Sequence, residues 1–82
     1  MEKTWNVYIL RCGDGSLYTG ISTDVQRRLE EHRSGKGAKY TRSRGPLELA
    51  YVEECGDHST ALKREVEIKA MTRGETLKLI EK

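Results

Sequence analysis

The chain is 82 residues long, 34% charged and slightly basic at +2, with four Tyr, one Trp and no Phe. Such a length excludes a multidomain enzyme and predicts one domain over residues 1–82; folding then buries only about 60–65% of the accessible surface, so Tyr, Val, Leu and Ile must build the core with help from Trp5. No run approaches the roughly 18–20 apolar residues of a membrane span, no apolar leader opens the chain, and Cys12 and Cys55 lack C-x-x-C spacing, so a reduced, cytoplasmic, monomeric protein is expected.

Trp5 to Cys12 is rich in β-branched and aromatic residues and reads as a strand. Gly13-Asp14-Gly15 is a turn, since Asp bonds to nearby backbone and Gly15 can take positive φ. Ser16 to Ile21 is the returning strand. A three-residue loop sets Cys12 against Ser16 and Tyr8 against Gly20. Tyr8 and Tyr18 then share one sheet face, because side chains alternate with period 2. Thr23-Asp24-Val25-Gln26 has the form of a capping box, with the Thr hydroxyl on the third helical amide and Gln reaching back. The helix it opens runs to Arg33, ahead of Gly35. At about 100° per residue, Val25 and Leu29 set the buried direction. His32 falls beside them, Arg28 on their flank and Arg27 nearly opposite. Arg28 is therefore the arginine whose stem packs and whose head is directed.

Residues 34–46 lack periodicity and read as a loop, with Gly35, Gly37, Gly45 and Pro46. The stretch 33–44 holds Arg33, Lys36, Lys39, Arg42 and Arg44 and no acid. It is either a surface for a polyanion or a solvated loop. Leu47 to Glu53 alternates Leu47, Leu49 and Tyr51 against Glu48, Ala50 and Val52, which predicts a third strand with one wetter face. Gly56-Asp57-His58-Ser59 ends it and caps a second helix over Thr60 to Met71. The apolar arc of that helix is Ala61, Leu62, Val66 and Ile68, with Glu65 in its middle and Glu67 pointing away. A carboxylate on an apolar face is costly unless it is paired or bound to a cation. Glu65 is thus either a metal ligand or half of a structural Glu–Arg pair. Thr72-Arg73-Gly74-Glu75 is a further capping box, opening a short third helix with Leu77 and Ile80 inward. The order β-β-α-β-α-α predicts an α+β domain, a small three-stranded antiparallel sheet flanked by helices.

Taken together, these residues resemble the GIY-YIG nuclease domain, over nearly the whole chain. Val7-Tyr8-Ile9, with Asn6 in place of the opening Gly, is similar to the first half-motif, and Tyr18-Thr19-Gly20 to the second. Arg28 stands where the family's catalytic arginine stands, His32 where many members carry His, and Glu65 where the family has its metal-binding glutamate. Several family nucleases carry an Asn after that glutamate; here Asn6 is the only asparagine. Leu17 to Ile21, Gly35 to Thr41 and Arg64 to Lys69 look like the small stand-alone bacterial subfamily. The resemblance implies metal-dependent hydrolysis of a phosphodiester in nucleic acid, DNA before RNA. It assigns catalytic roles to Tyr8, Tyr18, Arg28, His32 and Glu65, with either tyrosine able to help activate water. It places Mg²⁺ or Mn²⁺ on Glu65, and it sets Lys36, Lys39, Tyr40, Arg42 and Arg44 along the approach of the nucleic acid.

A second reading keeps the fold and drops the chemistry: a nucleic-acid-binding module that cleaves little or nothing. The missing Asn favours it. The joint presence of Tyr8, Tyr18, Arg28 and Glu65 favours the nuclease, because binding a polyanion requires no carboxylate facing it.

Overall fold

Apolar alternation at the start of the chain produces a hairpin of β1, Trp5–Arg11, and β2, Leu17–Ser22, in a computed structural model that describes residues 3–81. Tyr8 pairs with Gly20 and Leu10 with Tyr18, the register expected from a three-residue loop. The turn is fixed locally. Gly15 has φ +86, and the Asp14 carboxylate accepts from the Ser16 amide at 3.0 Å and the Ser16 hydroxyl at 2.6 Å. Asn6 ties the far end of the hairpin by donating its side-chain amide to the Ser22 carbonyl at 3.3 Å.

The third strand, β3, is Glu48–Gly56, and it pairs antiparallel with β1. The sheet is three-stranded with order β2-β1-β3, so β1 is central and β2 is an edge. Val7 to Leu10 are each at most 1% exposed, which requires cover on both faces. The helices supply it. Helix α1, Val25–Arg33, lies on the face of Tyr8, Leu10 and Cys12, where Leu29 and Leu47 complete the core. Helices α2, His58–Lys69, and α3, Arg73–Glu81, lie on the face of Val7 and Ile9, where Ile68 and Leu79 complete it. Cys12 and Cys55 are free thiols packed on opposite faces.

Several local expectations are corrected. Leu47, Leu49 and Tyr51 do not share a face. Ile9 pairs with Tyr51 but Leu10 pairs with Leu49, so Ala50 is an extra residue in the ladder. That bulge turns Leu47 and Leu49 toward α1 and Tyr51 and Cys55 toward α2; one inserted residue reverses the facing of everything beyond it. A second slip at Cys55 carries β3 on to Gly56. The cap of α1 is Asp24, not Thr23: its carboxylate accepts from the Arg27 amide at 3.1 Å, while Ser22 Oγ accepts from the Asp24 amide at 2.9 Å. Helix α2 begins at His58 because Asp57 accepts from the Thr60 amide at 2.7 Å. Its buried residues are Ala61 and Ile68 alone; Leu62 is 40% and Val66 65% exposed. The packed stripe runs through positions 61, 64, 65 and 68, and the small Ala61 lets the helix approach the sheet. The capping box of α3 forms as expected, with the Glu75 carboxylate accepting from the Thr72 amide at 2.9 Å and Thr72 Oγ1 from the Glu75 amide at 3.2 Å. The inward residues of α3 are Thr76 and Leu79, with Ile80 partly packed, rather than Leu77. The loop of residues 34–46 contains one 3₁₀ turn, Lys39–Thr41. Among the described residues no helix is long and apolar enough to cross a membrane.

Candidate functional site

Tyr8 leaves the centre of β1 and lies across β2. It can do so because Gly20 has no side chain: a Cβ there would stand 2.6 Å from the Tyr8 hydroxyl oxygen and 2.8 Å from its ring. The last turn of α1 brings His32 to the same point. Its Nε2 is 2.8 Å from Tyr8 Oη, and the ring is buried. On the other side, Nδ1 is 2.9 Å from Thr41 Oγ1 and accepts from the Ala38 amide at 3.3 Å. Thr41 Oγ1 itself donates to the Ala38 carbonyl at 2.8 Å, so the Thr41 contact calls for a proton on Nδ1 and the Ala38 amide for a lone pair there, and the roles at Tyr8 follow the tautomer. Gly37 closes this enclosure, since a Cβ there would collide with the imidazole. Burial, with the nearby Arg28 charge adding to it, pushes the His32 pKa down, so the ring stays neutral.

Tyr8 Oη thus lies between His32 Nε2 and the Arg28 guanidinium. Burial first, then Tyr18, pushes its pKa up to about 12; Arg28 acts against the rise and Glu65 adds to it. The Arg28 side chain is about one-third exposed and donates to Glu31 at 3.1 Å, whereas Arg27 is 74% exposed. Helix geometry thus separates the two arginines as the sequence predicts.

Glu65 stands on the other side of the sheet's mean plane, on α2, but β2 is an edge and the two faces meet around it. A cavity along that edge is lined both by Tyr18 and Tyr40 and by Ile68 and Lys69. The Glu65 side chain is 18% exposed, and Lys69 Nζ is its ion-pair partner at 3.3 Å. A Glu–Arg pair does form on α2, but it joins Arg64 to Glu53, with Arg64 donating at 2.9 and 3.2 Å. Glu65 is not part of it.

Tyr18 packs against this centre. Its ring centroid is 5.2 Å from that of His32 and 5.9 Å from that of Tyr40, on which it stacks. The structure thus gathers Tyr8, Tyr18, Arg28 and His32, while Glu65, expected to join them, stands on the α2 side of the sheet paired with Lys69. The basic loop divides. Lys36 and Lys39 are exposed, and Arg42 is held outward by donating to the Gly35 carbonyl at 3.1 Å. Arg44 is engaged internally, 4.3 Å above the Tyr40 ring, donating to the Tyr40 carbonyl at 3.0 Å and paired with Asp14 at 3.2 Å. Arg33 donates to the Leu47 carbonyl at 3.1 Å. Sequence reasoning missed Thr41 and Ala38, which hold His32, and Glu31, which orients Arg28. The i, i+3 spacing of Arg28 and Glu31 was a readable signal; the loop contacts had none.

Among the described residues no three of His, Cys, Asp and Glu gather to hold a metal ion. One recessed carboxylate beside open space does fit Mg²⁺, which keeps most of its waters and takes one or two protein carboxylates plus substrate phosphate.

The fold is one that known proteins share. The description "GIY-YIG catalytic domain" matches residues 4–78, and the chain belongs to the GIY-YIG family. Similar proteins within it include UPF0213 proteins. One from Staphylococcus epidermidis is 55% identical, covering 99% of this chain and 98% of its own. One from Oceanobacillus iheyensis is 52% identical, covering 99% and 94%. The solution NMR structure of the UPF0213 protein from Bacillus halodurans shares 46% identity at a TM-score of 0.62, covering 95% of this chain and 83% of that one. An NMR structure of a protein from E. faecalis shares 40% identity at 0.64, covering 95% and 84%.

Proposed function

We propose that this protein is a metal-dependent endonuclease that hydrolyses phosphodiester bonds in nucleic acid, with DNA as the first substrate to test. The observation that carries the reading is the cluster around one hydroxyl oxygen: Tyr8 Oη is 2.8 Å from His32 Nε2 and beside the Arg28 guanidinium, with the Tyr18 ring packed against His32. Membership of the GIY-YIG family supports it.

Each residue has a part set by its surroundings. Arg28, tethered by Glu31, holds a non-bridging phosphate oxygen through charge-assisted bonds. His32, neutral and held at both nitrogens, orients Tyr8, and with its Nε2 lone pair toward Tyr8 it can take up a proton passed from it. With its pKa near 12, Tyr8 is a proton donor at rest. It becomes a base for the attacking water only when positive charge is brought close. Glu65 would hold a divalent cation, Mg²⁺ or Mn²⁺, which when bound supplies charge stabilisation to the phosphate and the leaving oxygen. Lys69 must swing away from Glu65, and it is free to do so as a half-exposed, flexible side chain. Lys36, Lys39 and Arg42 draw the polyanion in.

The test is cleavage of end-labelled single-stranded, duplex, flapped and branched DNA and RNA, with Mg²⁺, with Mn²⁺ and with chelator. Metal-dependent cleavage of at least one substrate is expected, lost in Arg28→Ala. Binding without cleavage of any substrate would favour the non-catalytic binding module.

A further inference from the structure

The cavity at the β2 edge has a content that phosphate chemistry does not use. It measures about 510 Å³, within the ~300–1,000 Å³ of small-molecule sites. Its lining includes Tyr18, Tyr40, Ile68 and Met71, together with the cations Lys69 and Arg73. A sugar–phosphate chain would need cations alone. An aromatic and apolar lining that also holds cations suits a flat, apolar-faced ring attached to a phosphate. The cavity shares Tyr18 with the catalytic cluster, and Lys69 links it to Glu65.

We propose that this cavity receives an unpaired nucleobase from a nucleotide neighbouring the phosphate held at Arg28 and Glu65. The proposal rests on the nuclease reading and narrows it. A base stacked and paired inside a duplex cannot enter, so the substrate must present a single-stranded tail, flap or loop at the site. Arg73, at the exposed start of α3, and Lys69 line the cavity together with Tyr40 of the basic loop, so a strand that enters it meets cations there.

The experiment measures binding to the full chain without divalent cation, so that strands stay intact. Three labelled probes are compared by fluorescence anisotropy: a blunt duplex, the same duplex with a short single-stranded tail, and the tailed duplex with one abasic residue moved stepwise along the tail. The junction fixes the register. Stacking on an aromatic side chain is worth about 10-fold or more per base. The tailed probe is expected to bind more tightly than the blunt one, with one abasic position at which affinity falls about 10-fold. Met71→Trp, which fills the cavity, and Arg73→Gln, which removes a lining cation, should erase that sensitivity and leave blunt-duplex binding in place. Indifference to the abasic residue at every position, with nucleic acid still bound, overturns the pocket and leaves the nuclease reading standing. Failure to bind any probe overturns both. Should Met71→Trp melt too low to assay, the abasic scan on the unmodified chain and the surface variant Arg73→Gln still decide.

Discussion

Two small residues explain how an 82-residue chain positions a tyrosine and a histidine so tightly. Gly20 leaves the space that the Tyr8 phenol crosses, and Gly37 the space that the His32 ring fills. In Gly20→Ala the new methyl would lie 2.6 Å from Tyr8 Oη, so the buried ring must move. Overpacking of this kind costs about 1–3 kcal/mol. The variant should melt lower and, per folded molecule, lose most cleavage, because Tyr8 leaves His32; full activity would show that their alignment is dispensable. His32 makes a separate prediction. Burial lowers its folded pKa below the ordinary 6.5, so the unfolded chain binds more protons below that value. Stability is then complete above about pH 6.5 and declines as the pH falls below it. Melting temperatures should show that decline, and His32→Gln should flatten it. An unchanged slope in the variant would assign the decline to another group.

At the scale of elements, the sequence was legible wherever periodicity and caps agreed. The hairpin register, the end of α1 at Arg33, the separation of Arg28 from Arg27 and the Thr72–Glu75 box follow from local chemistry. The Ala50 bulge does not. It arises because β3 must furnish apolar residues to both sheet faces, a demand of the tertiary fold invisible in the strand itself. The apolar arc of α2 was misjudged for a related reason: the sheet buries the stripe through Ala61 and Ile68, and Leu62 and Val66 fall outside it. The basic loop was read as one patch, yet Arg44 serves as a strap. It pairs with Asp14 of the β1–β2 turn and covers Tyr40, while the Gly13 amide donates to its carbonyl at 2.6 Å. Exposed ion pairs and cation–π contacts each contribute about 0.5–1 kcal/mol. Arg44→Ala should therefore destabilise the chain by about 1–2 kcal/mol in denaturant melts, whereas Lys39→Ala should leave the midpoint unchanged and weaken nucleic-acid binding. Equal behaviour of the two variants would contradict the division of the loop.

For the whole molecule, opposite faces of one sheet communicate around its edge strand, so α1 and α2 can serve a single site from opposite sides. The outward cations of the loop are Lys36, Lys39 and Arg42. Binding of nucleic acid should weaken with salt, each phosphate contact contributing about −0.7 to −0.9 to the log–log slope. Combined replacement of Lys36, Lys39 and Arg42 by Ala should reduce both the affinity and that slope; an unchanged slope would make the loop a solvated surface. The nuclease reading stands or falls on Glu65, which is either a metal ligand or only the partner of Lys69. Glu65→Gln keeps the shape and hydrogen-bonding capacity and removes the charge that a divalent cation needs. Cleavage rate, nucleic-acid binding and melting temperature measured on one preparation of this variant separate the cases. The account predicts a folded protein that melts near the unmodified chain, binds nucleic acid at least as tightly, since an uncompensated carboxylate repels phosphate, and has lost metal-dependent cleavage. Glu65→Gln cleaving as fast per folded molecule as the unmodified chain would contradict it.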